Sequence, residues 1–157
     1  MSTMIQDSLF WNNKYLNKED GWDIGSPTPV FMDYSSKLAS ESKILVPGCG
    51  RGYDALYLSS KGHNVDALDF SSVALDFLIK KTHNLKNNLN IINADFFSLS
   101  QKYNNVYDYI FEYTFFCAID PLLRKDYSQK CSSLLKKNGK IIAIFLPLKN
   151  INNNTNP

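Results

Sequence analysis

Four short stretches carry residue types that could hold a small ligand. Gly48, Gly50 and Gly52 fall within five residues, in Gly48-Cys49-Gly50-Arg51-Gly52. Glycine reaches φ > 0 and lets a ligand approach bare backbone. The spacing G-x-G-x-G departs from the dinucleotide fingerprint G-x-G-x-x-G, and no G-K-[ST] follows to cradle a phosphate. Taken alone, these glycines would also suit a tight strand-to-helix turn. Asp69 lies 21 residues beyond Gly48. A carboxylate there can accept from ribose hydroxyls, or it can serve as a helix cap ahead of Ser71 and Ser72. Asp95 is followed by Phe96 and Phe97, an acceptor for an exocyclic adenine amine beside aromatic rings, although an Asp-Phe pair is common by chance. Glu112 stands beside Tyr113, and its carboxylate suits the ammonium of an amino acid.

These residues matter together only if the chain brings them to one place. "KILVP" reads as a buried strand that Pro47 ends. "YDALYLSSKG" reads as a helix with Gly62 just past its end, and "HNVDALD" as a second strand. "SSVALDFLIKK" is a helix that Ser71 or Ser72 could cap. "LNIINAD" and "VYDYIFEY" are the third and fourth strands. "PLLRKDYSQKCSSLLKK" is a long helix with Pro121 in its first turn, stopped by Asn138-Gly139, and "KIIAIFLPL" is the fifth strand. Ahead of all this, residues ~5–17 and "VFMDYSSKLA" read as helices around a glycine- and proline-bearing loop. Alternation of strands and helices predicts a doubly wound α/β fold with a mostly parallel sheet. In such sheets ligands bind beyond the carboxyl ends of the strands, which is where all four stretches fall. They offer ribose, adenine and ammonium recognition. Arg51 is the only basic residue in the glycine turn, so a pyrophosphate or triphosphate has no partner cluster. The combination favours S-adenosylmethionine over NAD or ATP.

Bulk properties exclude other classes. The 157 residues suit one domain, with 44% apolar and 20% charged residues and a net charge of +2. That charge is too small to argue for nucleic acid. Lys80-Lys81 and Lys136-Lys137 sit at predicted helix ends, where cations complement the dipole. Cys49, Cys117 and Cys131 form no C-x-x-C pair, so neither a disulfide framework nor a metal site is expected, and reduced thiols point to the cytoplasm. No apolar run approaches the ~20 residues of a membrane helix. The first residues lack the pattern of a signal peptide.

"WDIGSPTP", "VPGCGRGYD", "LDFS", "ADFF" and above all "YDYIFEYTFFCAIDP" resemble the thiopurine S-methyltransferase family, closest to its halide/thiol methyltransferase branch. The resemblance runs from about Phe10 to Pro147. It implies a Rossmann-like class I methyltransferase fold with residues 1–40 as an N-terminal helical lid and 41–147 as the cofactor-binding core, while the asparagine-rich composition of 148–157 predicts a disordered tail. It implies cofactor contacts at Gly48 and Gly50 of the loop, at Asp69 for the ribose and at Asp95 with Phe96 for adenine. Glu112 takes a position where relatives carry aspartate. Trp11, Tyr15 and Trp22 match aromatic positions of the family's lid, with Tyr15 in place of a tryptophan. Trp11 and Tyr15 are i,i+4, so they share a helix face, and ordinary packing of that helix would also explain them. Trp22, in a loop, suits a lid over a sulfonium.

The implied reaction is methyl transfer from S-adenosylmethionine to a small soft nucleophile (a thiol, a halide or a related sulfur or selenium species) by in-line displacement. Such a nucleophile needs no strong general base, and neither His63 nor His83 looks poised as one. Tyr113, Phe115 and Phe116 follow the fourth strand, where the acceptor pocket is expected, with Tyr113 and Phe116 lining it, and Cys117 is expected to be a buried small residue. The family's sheet normally continues past the fifth strand. The sheet is therefore expected to be truncated there, leaving an apolar edge open to self-association. A truncated, non-catalytic cofactor-binding or dimerising module is the alternative reading.

Overall fold

The computed structural model describes residues 7–83 and 88–145. Helix α1 spans Ser8–Leu16 and α2 spans Pro29–Ser35. The core then runs β1 (Lys43–Pro47), α3 (Tyr53–Ser60), β2 (Asn64–Asp69), α4 (Ser72–Thr82), β3 (Leu89–Asn93), β4 (Tyr107–Tyr113), α5 (Phe115–Ala118), α6 (Arg124–Leu134) and β5 (Leu135–Ile144). The five strands form one parallel sheet in the order β3-β2-β1-β4-β5. The order reverses between β1 and β4, and that switch point opens a crevice at the strands' carboxyl ends.

Strands covered on both faces must be apolar on both faces, which is why β1 reads as an unbroken run. On one face Ile44, Val46, Val65, Ala67 and Phe111 meet Phe31 of α2, Ala55 and Leu58 of α3, and Leu75 and Leu78 of α4. On the other, Leu45, Leu68 and Ile110 meet Tyr127, Cys131 and Leu134 of α6, with Phe96 and Leu99. Asp66 also lies inside, and it is held by Lys43 Nζ at 2.5 Å, Tyr107 Oη at 2.8 Å and Asn90 Nδ2 at 3.2 Å. Ser71 is the cap of α4, its Oγ accepting from the Ala74 N–H at 3.2 Å.

Two boundaries differ from the sequence expectation. The last helix ends at Leu134, after a 3-10 turn at Pro121–Leu123. Leu135 already pairs with Tyr107, and the N–H groups of Asn105 and Val106 donate to Ser133 and Leu134. Tertiary pairing thus overrides the helix propensity of Leu-Lys-Lys. Asn138, at φ 70°, brings the strand back into register at Lys140 opposite Tyr109. Lys136 and Lys137 therefore close no helix, and Lys136 instead pairs with Asp108 at 2.9 Å. Helix α2 is also shorter than expected, because Lys37 and Leu38 donate only three residues back in a tightened end. The start of the predicted first helix, positions 146–148 of the predicted fifth strand and the predicted disordered tail lie outside the described residues.

Candidate active site

The glycine turn follows β1 directly. Gly48, Gly50 and Gly52 have φ of 58°, 54° and 74°, a region that costs an ordinary L-residue roughly 1–2 kcal/mol. A Cβ at Gly48 would run into the ring of Phe115, and one at Gly50 would stand 2.7 Å from the Tyr15 hydroxyl. The turn is therefore bare on both sides because two aromatic residues close on it.

Asp69, at the end of β2, is 8% exposed. Its Oδ2 accepts from the Gly50 N–H and its Oδ1 from the Ser71 N–H, both at 2.8 Å. The carboxylate ties the glycine turn to the start of α4, so the structural role left open by the sequence is present. The carboxylate retains acceptor capacity beyond these bonds. Burial raises the Asp69 carboxyl above the usual range, opposed by the N–H groups of Ser71, Gly50 and Phe70.

A cavity of about 890 Å³ opens beyond these strand ends, within the range of ligand sites. Gly48, Asp69, Asp95 and Phe96 line it, as do Trp11, Tyr15 and Trp22. Trp22 meets Trp11 and Tyr15 edge to face, with centroids 5.4 and 5.9 Å apart. Helix α1 is held over the site by Asn12, whose Oδ1 accepts from the Ser71 hydroxyl at 2.7 Å. Arg51 binds the following loop through Asp23 and, at 2.5 Å, through Asp20, and its guanidinium lies 5.2 Å from the Tyr15 ring centre. The basic residue of the glycine turn is thus paired with the loop that follows α1. Burial and the neighbouring Asp69 raise the Tyr15 phenol.

The remaining sequence candidates lie elsewhere. Gly50 and Tyr113 line a smaller adjoining cavity of about 70 Å³ that shares Tyr15, Trp22, Gly48 and Thr114 with the first. Phe116 lines neither; it packs between Tyr127 and Phe145 at centroid distances of 5.1 and 5.3 Å. Glu112 is fully buried and also lines neither. Cys117, expected to be buried, is exposed and faces the large cavity because α5 is a single turn at the surface. Burial of its sulfur and nearby Glu112 raise its thiol. Neither His63 nor His83 lines either of these two cavities. Phe115, expected beside the pocket, lines the large cavity; the sequence reading held no expectation for Phe70, Thr114, Ile119 and Asp120. Phe70 and Thr114 were within reach of the strand-end rule, since they follow β2 and β4.

The model of the thiopurine S-methyltransferase (TPMT) family matches residues 6–157. The chain belongs to that family. It is similar to a protein described as probable thiol methyltransferase 2 of Arabidopsis thaliana, 34% identical over 141 residues, which covers 88% of this chain and 62% of the relative. Thiocyanate methyltransferase 1 of Brassica oleracea is 32% identical over 136 residues, covering 83% and 59%. This member of the TPMT family thus spans less than two thirds of the length of these relatives. Among solved structures it resembles a Burkholderia thailandensis 1,6-didemethyltoxoflavin-N1-methyltransferase with bound S-adenosylhomocysteine, at a TM-score of 0.75 and 18% identity over 87% of this chain and 59% of that one. A Haemonchus contortus N-methyltransferase gives a TM-score of 0.71 at 18% identity, covering 90% and 35%. These likenesses show a Rossmann-like α/β fold.

Proposed function

We propose that the chain binds S-adenosylmethionine in the large cavity and serves transfer of its methyl group to a small soft nucleophile, with thiols as the first class to test and halides and related selenium species after them. The observation that carries this is the gathering of Gly48, Asp69, Asp95 and the Trp11–Tyr15–Trp22 cluster on one cavity at the switch point. The cofactor fits the residues present. Asp69 keeps acceptor capacity for ribose hydroxyls, Asp95 has an oxygen that takes no bond from Phe97, and three aromatic faces suit a sulfonium. When bound, that group supplies a methyl carried on a positively charged sulfur. The chain's part is to orient and to exclude water. Phe115 and Tyr15 close on the glycine turn, and the half-buried aromatic cluster packs beside it. Cys49 and Cys117 both have thiols raised by burial, so neither supplies a ready thiolate. The nucleophile then comes from the acceptor, which reacts best held in line and stripped of water. Calorimetry with S-adenosylmethionine and NAD tests the binding step; tight NAD binding with none of S-adenosylmethionine defeats the proposal.

A second reading rests on one observation. Strand β5 is an edge of the described sheet, with Ile141 39% and Phe145 56% exposed. A non-catalytic, self-associating cofactor-binding module would use that edge. Sedimentation of a clean monomer removes the self-association, and measured methyl transfer removes the rest. No described helix is long and apolar enough to cross a membrane. We place the chain in the cytoplasm on the strength of its three free cysteines.

A further inference from the structure

Glu112 ends β4 with a side chain that has no exposed surface. Its Oε1 accepts from the Phe116 N–H at 2.8 Å, and the Phe115 N–H also donates to the carboxylate. Those N–H groups open α5. The residue before them, Thr114, stands at φ 63° and gives the helix no side-chain cap. A helix start leaves its first N–H groups without partners inside the helix, and here a carboxylate from the preceding strand takes them. Helix α5 matters because Phe115, Cys117 and Ala118 line the large cavity, with Thr114 and Ile119 on either side. Phe115 presses on Gly48 and meets Phe96 at 5.3 Å between ring centres. A shift of α5 would therefore move the glycine turn's cover and the Phe96 wall together.

The surroundings of Glu112 do not suit a bare charge that waits for a cation. Tyr127 and Cys131 of α6 and Cys117 of α5 are the titratable groups coupled to it. Arg124 of α6 lies over the Phe116 ring, 5.1 Å from its centre, and makes no ion pair with Glu112 among the described residues. Oε2 and the Tyr127 hydroxyl are both buried without a hydrogen-bond partner.

We propose that Glu112 is a positioning residue, which caps α5 from beneath and so sets the cavity wall, and that it does not bind the cofactor's ammonium as its place in the sequence suggests. The inference rests on the methyltransferase reading above. Two ligands and two variants test it by calorimetry on the full chain. S-adenosylhomocysteine carries the ammonium; 5′-methylthioadenosine lacks it and keeps the adenosine. Glu112→Ala should weaken both by the same factor, about tenfold for a lost helix cap. Glu112→Gln, which keeps an acceptor for Phe116, should weaken both by about threefold or less. If either variant instead weakens S-adenosylhomocysteine alone, Glu112 binds the ammonium and the proposal fails. It fails too if Glu112→Ala leaves both affinities unchanged. Should Glu112→Ala not fold, Glu112→Gln with the two ligands still decides. If the wild-type chain binds neither ligand, the methyltransferase reading itself is what fails.

Discussion

Replacing Asp69 with Asn separates its two roles. The side chain holds backbone with both oxygens, Gly50 on one and Ser71 on the other. An amide keeps one acceptor, and its NH₂ then faces the other N–H donor to donor. One charged hydrogen bond is lost, worth about 1.5–3 kcal/mol. An ordinary domain has only ~5–15 kcal/mol in total, so D69N should fold with a clearly lower urea midpoint. A ribose would also meet a neutral amide in place of a charged acceptor, which predicts a roughly 10- to 150-fold loss of affinity. Stability is read by urea unfolding. Affinity is read by calorimetry with S-adenosylhomocysteine at a temperature where both proteins are folded. 5′-Methylthioadenosine keeps the ribose and should lose the same factor. Lower stability with unchanged affinity for both ligands would refute the reasoning and leave Asp69 as a turn-and-cap acceptor alone.

Gly48→Ala should cost roughly 1–2 kcal/mol in backbone strain and also displace Phe115, so that binding falls; Gly62→Ala, at φ 89° with open space around it, should show the strain without the loss of binding. Arg51→Ala frees Asp20 and Asp23 and should lower stability by about 1 kcal/mol; ligand affinity should become less sensitive to salt than in the wild type, and equal sensitivity in both would contradict the ionic latch on that loop. Burial holds the Glu112 carboxyl above its usual range, against the N–H groups of Phe116 and Phe115, so the folded chain binds that proton more tightly than the unfolded chain. Its stabilising contribution is present below the ordinary glutamate value of about 4.3 and is lost as pH rises through the folded value. The neutral E112Q should therefore gain stability relative to wild type as pH rises from about 4 to about 7, and urea midpoints moving the other way would contradict this.

The sequence was most informative where one strand end dictates the chemistry. Gly48, Asp69 and Asp95 each follow an apolar run, and the strand-end rule needs nothing else to put them together. The Trp11–Tyr15–Trp22 grouping at the cavity was legible only through the family resemblance, since periodicity alone allowed Trp11 and Tyr15 to be ordinary packing. The far wall was misread for a geometric reason. Successive positions on β4 point to opposite faces, so Tyr113 turns to the small cavity and Glu112 goes under α5. The turn at Thr114 then swings Phe115 onto Gly48 and Phe116 away to Tyr127. No local pattern announces a non-glycine residue at φ 63°. The end of α6 was misplaced because Leu135 is drawn to Tyr107 across the sheet, a partner that propensity cannot see.

The central claim is that this cavity serves methyl transfer to a soft nucleophile. Incubating the full chain with S-adenosylmethionine carrying a labelled methyl, and with a small thiol, thiocyanate or iodide in turn, tests it most directly. The account predicts label in the methylated thiol together with release of S-adenosylhomocysteine. Bound S-adenosylmethionine with no label in any acceptor would contradict it and leave the non-catalytic reading standing.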